Sequence, residues 1–237
     1  MVRTKYISVL ILFILIGCKK NNLESTKTIE LSAFEEILLL SPMDVELVED
    51  TSFFVEVIGF EKTVDAVEFK IENGVLQIEN TLKSKFAKPK TKSVKVIIHS
   101  TPLKLVEALE TCNISTGNAI TSLEFGIILK SKGNFADLEL NCNVFYYYNN
   151  YPCGGKMTLR GATQQLKIWN TAIFSVDAKN LVTNYCLVEN SSKGKCEVNV
   201  TGAIEYDMKG EGNIEVYGNP ATVVENGKSG SGEIIFY

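Results

Sequence analysis

The sequence predicts an all-β protein, a right-handed parallel β-helix or solenoid with coils of about twenty residues. Three observations carry that prediction. Short runs of alternating apolar residues succeed one another from Thr28 onward, and only Thr63 to Val67 reads as a short helix. After Leu103 proline nearly vanishes, and Gly and Asn punctuate the runs. In the tail, Ile204, Ile214, Val224 and Ile234 stand ten residues apart, as do Gly202 and Gly212, with Gly232 twenty further on. Two such units, each a strand and a corner, make one coil, and a coil that cannot bury its own apolar face must stack on the next. About ten coils would make a prism on the order of 50 Å long at the strand spacing of a sheet. Parallel crossovers wind right-handed by default. An antiparallel β-sandwich built of hairpins is the competing architecture, and the spacing alone does not exclude it.

The N-terminus, "MVRTKYISVLILFILIGCKKNN", places Arg3 and Lys5 before an apolar run from Ile7 to Ile16. That run is too short to span a bilayer as a helix and has the length of a signal-peptide core. It ends in Leu15-Ile16-Gly17-Cys18, which resembles a bacterial lipobox. The chemistry there needs a thiol, because the sulfur takes the diacylglycerol as a thioether. Cys18 is therefore the expected lipidation site, and more than one acyl chain gives stable anchoring. The reading divides the chain into a leader 1–17, a lipidated polar tether 18–27 and a single domain 28–237. Loss of Arg3 and Lys5 with the leader would take the formal charge from -4 to -6. Lys19 follows the cysteine, and the absence of Asp there points to the outer membrane.

Strands then follow in order. "IELSAFEEILLLSPMDVELVED" alternates until Ser41-Pro42 breaks it, and "SFFVEVIGF" keeps Phe53, Val55 and Val57 in one phase. "VEFKIENGVLQIEN" sets Asn73-Gly74 between two alternating runs, a hairpin signal. "SVKVIIHSTP" is a further strand stopped by Pro102, and the basic stretch "TLKSKFAKPKTK" before it reads as a solvated loop. Antiparallel pairing within this first section is compatible with its turns. Beyond it, "MKGEGNIEVYGNP" and "KSGSGEIIFY" repeat one phrase: Lys, a small residue, Gly-x-Gly and a short apolar alternation. Gly and Asn at the corners would supply left-handed backbone.

Composition excludes several functions. A formal charge of -4 and a pI near 5.3 give no basic footprint for nucleic acid. His99 is the sole histidine, so zinc sites and histidine triads have little to build on. The "GSGE" and "GEGN" turns lack the nine-residue spacing and regular Asp of calcium repeats, so no metal and no cofactor is expected. Besides Cys18 there are Cys112, Cys142, Cys153, Cys186 and Cys196, an odd set. They read as small buried ladder residues; a Cys186–Cys196 or Cys142–Cys153 bridge is the alternative an exported location permits. Asn113, Asn190 and Asn199 read as corner residues.

In "VFYYYNNYP" five aromatics fall within seven residues, and a strand of period two must put some of them outside. Tyr146 and Tyr148 should face one way and Tyr147 the other. Tyr146, Tyr148 and Tyr151, with Asn149 and Asn150, form the candidate ligand site, because pyranose rings stack on aromatic faces and amides satisfy sugar hydroxyls.

The tail "GEGNIEVYGNP…KSGSGEI", with "DVELVEDTSFFVEV" and "FKIENGVLQIEN", resembles the head GIN domain family of auto-transporter adhesins, mostly lipoproteins or secreted proteins of Bacteroidota. The resemblance covers roughly Ile29 to Tyr237. One departure is "TCNISTGNAI", where Asn118 stands in place of the family's acidic turn residue. The resemblance implies a β-helix and carries over no catalytic residues. The expected protein is a lipid-anchored, non-enzymatic binding protein of the bacterial envelope, possessing as partners the membrane and a glycan or envelope protein. The alternatives are a polysaccharide-active enzyme or carbohydrate-binding module on the same scaffold, or a structural accessory. Carboxylates clustered with Lys or Arg on one face would favour the enzyme; only Arg160 remains after the leader.

Overall fold

The computed structural model describes residues 24–82, 94–149 and 152–237. Its elements in chain order are β1 (Glu24–Glu30), β2 (Glu36–Leu39), β3 (Met43–Glu49), β4 (Phe54–Phe60), α1 (Glu61–Val64), β5 (Val67–Glu72), β6 (Val75–Asn80) and β7 (Val94–Ser100). There follow β8 (Leu105–Ala108), β9 (Cys112–Thr116), β10 (Glu124–Leu129), β11 (Asn134–Asn149), β12 (Gly154–Ser192), β13 (Cys196–Met208), β14 (Ile214–Gly218), β15 (Thr222–Lys228) and β16 (Ile234–Phe236).

The strands stack as two walls of a solenoid. One wall runs β6–β2–β8–β10 and continues through the later half of β11, residues 165–169 and 185–190 of β12 and the later half of β13 to β15; the other runs β7–β3–β9 and continues through the earlier half of β11, residues 155–163 and 176–178 of β12 and the earlier half of β13 to β14 and β16. All these neighbours are parallel, which rules out the sandwich. Register partners such as Glu124 and Val144, or Asn134 and Gly155, lie one coil apart, so a coil takes about 21 residues, and the stack has about 6 turns. The expectation of about ten coils was too high because the first third of the domain adds caps in place of coils. There β2 and β3 are laid down first, β6 and β7 stack outside them, and the chain then crosses back to lay β8 and β9 on their other side. Antiparallel strands close this end: β5 on β6 through the Asn73-Gly74 turn, β4 on β7, and β1 on β4. Asn73 and Gly74 both have positive φ, as such a two-residue turn requires. The outermost strands, "ESTKTIE" and "VEFKIE", are short and charged, which discourages further pairing. Strand β1 begins at Glu24, inside the stretch read as tether; the leader, Cys18 and most of the basic loop lie outside the described residues.

The core is the space between the walls. Alternation sends Ile37, Val106, Ile127, Tyr147 and Ile168 inward from successive rungs, each at most 1% exposed. Burial of such side chains stabilises by about 1.5–3 kcal/mol apiece. At the corners, asparagines point inward as well. Asn170 Nδ2 donates to Asn190 Oδ1 at 3.2 Å and to the Phe174 carbonyl at 2.8 Å; Asn190 Nδ2 donates to the Gly212 carbonyl at 2.9 Å. Each amide thus satisfies corner carbonyls that would otherwise be buried without partners.

The repeated Gly-x-Gly phrases are consecutive corners stacked on one another. A Cβ on Gly230 would stand 2.0 Å from the Gly210 carbonyl oxygen, and one on Gly212 would stand 2.0 Å from that of Gly194. These glycines do not have positive φ, so close approach of backbones demands them, and the left-handed conformation expected at these corners is not used. The ten-residue count also misplaces one side chain. Nineteen residues separate Ile204 from its register partner Val223, so Val224 pairs with Glu205 and faces outward.

All five cysteines of the domain are buried and free; neither Cys186–Cys196 nor Cys142–Cys153 is bridged. They serve as small interior residues. Burial pushes the thiols of Cys112 and Cys196 up to about 12 and that of Cys142 up to about 11.

Candidate functional site: an aromatic platform on one wall

The outward side of the β2–β8–β10–β11–β12 wall is unusually apolar. Register places Leu38, Glu107, Ile128, Tyr148 and Trp169 in one outward column. A second column, two residues along, carries Glu36, Leu105, Gly126, Tyr146 and Lys167. A solvent-facing wall ordinarily alternates apolar-in with polar-out, so an outward stripe containing the chain's one tryptophan calls for a contact role.

The strand alternation places Tyr146 and Tyr148 outward and buries Tyr147 completely against Phe174. Tyr148 is 41% exposed. Tyr146 lies flat over Gly126, whose missing Cβ leaves room for the ring: a Cβ there would stand 2.0 Å from Tyr146 Cζ. Partial burial and the carboxylates of Glu124 and Glu36 push the Tyr146 phenol pKa up, which keeps its hydroxyl a donor. At the platform's end toward the cap, Glu36, Leu38, Gln77, Leu105 and Glu107 line a shallow concavity of about 310 Å³. Glu107 there is paired with Lys130.

Asn149 does not belong to the site. It follows Tyr147 in the inward phase, is fully buried, accepts the Thr171 N–H at 2.7 Å and donates to the Thr171 carbonyl at 3.1 Å. It is a corner residue, like Asn170 and Asn190. Asn150 and Tyr151 lie outside the described residues. The residues that sequence reasoning missed are Trp169, Ile128, Leu105 and Gly126. Their signal was the coil length: Tyr148 and Trp169 differ by one coil, as do Ile128 and Tyr148.

The opposite wall carries a ladder of charge. Lys156 meets Asp177 at 2.9 Å, Lys179 meets Glu197 at 2.9 Å, and Lys195 meets Glu197 and Glu215, each at 3.1 Å. This is the juxtaposition of acids and lysines that would favour catalysis. Each carboxylate, however, is engaged by an ammonium. Burial works against the charge on Asp177, yet the Lys156 hydrogen bond and the fields of Lys156 and Lys179 hold its carboxyl below the usual range. A glycosidase acid needs the reverse, a carboxyl raised by an apolar setting. The ladder zips neighbouring rungs together. His99 is structural too: its ring stacks on Phe54 at 3.9 Å and its Nδ1 lies 3.2 Å from Asp50. Among the described residues, no group of three His, Cys, Asp or Glu side chains is placed to hold a metal ion, and no helix is long and apolar enough to cross a membrane.

The family model described as "Putative auto-transporter adhesin, head GIN domain" matches residues 33–220. No curated protein matches the sequence. Among solved structures, the chain is similar to a "putative adhesin" from Bacteroides fragilis, with TM-score 0.82 and 19% identity over 91% of this chain and 97% of that one. It is also similar to a "putative adhesin" from Parabacteroides merdae (TM-score 0.65, 18% identity, 92% and 97%). A third likeness is to a "putative lipid binding protein" from Parabacteroides distasonis (TM-score 0.64, 16% identity, 92% and 98%). At these identities the likeness is one of fold.

Proposed function

Because the chain belongs to the family described as "Putative auto-transporter adhesin, head GIN domain", we propose that it is a lipid-anchored binding protein of the bacterial outer membrane that holds an envelope glycan against its aromatic platform. The outward register of Tyr146, Tyr148 and Trp169 on adjacent rungs is the observation that carries this reading. A stacked wall is rigid, so aromatic side chains on it lose little conformational freedom on binding. Their faces suit pyranose rings, and the phenol hydroxyls supply directed hydrogen bonds. Binding is the whole of the activity in this reading: the carboxylates nearest the platform are placed to orient a ligand, and Cys18 supplies the acyl anchor.

Two measurements test it. Trp169 is the chain's single tryptophan, so its emission reports the platform directly. Titration of the full-length protein in detergent with solubilised envelope polysaccharide should shift that emission. Tyr148→Ala and Trp169→Ala should each weaken retention on the polysaccharide by about 1–3 kcal/mol with the fold intact. Unchanged retention in both variants would remove the platform from consideration. For the anchor, Cys18→Ser should leave an unprocessed precursor or release the protein from the membrane fraction; a native N-terminus that is unacylated, or is not Cys18, would refute lipidation.

A further inference from the structure

The other wall holds a hollow that the platform does not use. Phe135 faces outward from β11, in register with Asn113 on β9 and near Lys156 on β12. Its ring is 56% exposed and stacks on no other aromatic ring among the described residues. Outward side chains of a flat sheet normally lie against one another. Here the shorter Asn113, Ser115 and Asp137 stand among the longer Phe135, Lys95 and Lys156, and a groove of about 300 Å³ opens between them. That volume lies at the small end of the range for ligand sites, enough for about one pyranose ring with its water.

Electrostatics select the ligand class. Both lysines on the rim are answered within the sheet itself, and its carboxylates are engaged there. Asn113 donates to Asp44 at 2.5 Å, Lys95 pairs with Glu46 at 2.6 Å, Lys156 pairs with Asp177 at 2.9 Å, and Asp137 pairs with Arg160. A phosphate or carboxylate ligand would meet only ammonium groups already paired with Glu46 and Asp177, and its desolvation would go largely unmatched. A neutral polyhydroxyl ring gives up far less. Its C–H face can cover the Phe135 ring. Its hydroxyls can use the lone pairs of carboxylates and the remaining N–H groups of Asn113 and Lys156. The geometry points to a neutral hexopyranose subsite centred on Phe135. It lies on the wall opposite Trp169 and stands independently of the platform. With both sites occupied, one molecule would bridge two glycan chains, and a surface bearing many copies would gain avidity.

The test uses the full-length chain in detergent and saturation-transfer NMR. The probes are maltopentaose, cellopentaose and mannopentaose, with oligogalacturonate and oligoglucosamine as charged controls. At least one neutral probe should receive saturation. Phe135→Ala should weaken that probe by about tenfold or more, as loss of an aromatic anchor does. Phe135→Trp, which keeps an aromatic face, should retain it, and the loss should reappear when Phe135→Ala is made in a Trp169→Ala background, where the platform no longer contributes. Thermal melts check that each variant folds. Several outcomes overturn the proposal: no neutral probe saturated, the charged controls preferred, Phe135→Ala binding like wild type, Phe135→Trp failing with Phe135→Ala, or no further loss when Phe135→Ala is added to Trp169→Ala.

Discussion

The ring of Tyr146 occupies the space that a Cβ on Gly126 would need, one rung below it in direct register. The pair makes the platform flat at this point: glycine removes the obstacle, and tyrosine covers the exposed backbone. Gly126→Ala should therefore swing the ring away. Because the obstructed atoms are the far end of a movable side chain, the stability change should stay within about 1 kcal/mol. Retention on envelope polysaccharide should fall as it does for Tyr148→Ala. Thermal melts and retention assays on one preparation check both halves, and normal retention with a shifted ring would show that Tyr146 is not part of the contact.

Ala172 sits at a corner with φ 63, a conformation that L side chains adopt at a cost of about 1–2 kcal/mol. Ala172→Gly relieves that strain but enlarges the freedom of the unfolded chain. The net should be a gain of about 0.5–1 kcal/mol, a rise of a few degrees at most in Tm. A fall in Tm would mean that the methyl group makes a contact worth more than the strain.

The five interior thiols should be inert in the folded protein. Burial holds them protonated, with Cys112 and Cys196 pushed up to about 12. A thiol reagent at pH 8 should find none of these five in the native chain and all five after denaturation, Cys18 being counted apart by its substitution with Ser. Recovery of only three without reductant would reveal a disulfide.

Asp177 predicts an acid limb of stability. Burial raises its pKa, but Lys156 and Lys179 outweigh that and bring it below the unfolded value. A group with a depressed folded pKa contributes stability above the unfolded value of about 3.9, and loses it as pH falls through the folded one. Glu197, its register neighbour, is held by Lys179 and Lys195 and is retained in the comparison. Asp177→Asn should be less stable than wild type at pH 7, and the gap should close below about pH 4. A gap that stays constant to pH 2 would show that the Asp177 charge contributes nothing.

The sequence by itself determined the periodic content. Alternating runs, the Asn73-Gly74 hairpin and the near absence of helix are local properties, set by φ preferences and by which face of a strand must leave water; the Gly-x-Gly corners were legible as a repeat, but the close approach of stacked backbones that requires glycine there is tertiary. The phases of Tyr146, Tyr147 and Tyr148 were legible for the same reason: period two is a property of the strand alone. Only the tertiary structure decided what stacks on what. A coil one residue short of twenty puts Val223 in place of Val224 on Ile204, and a uniform ten-residue count has no means of detecting it. The crossing of β8 and β9 past β2 and β3 depends on contacts 69 residues apart. Asn149 resembled a sugar ligand beside its tyrosines, yet corner carbonyls needed its amide inside. Trp169 became part of a site because one coil of chain returns it beside Tyr148, a proximity set by the length of the coil.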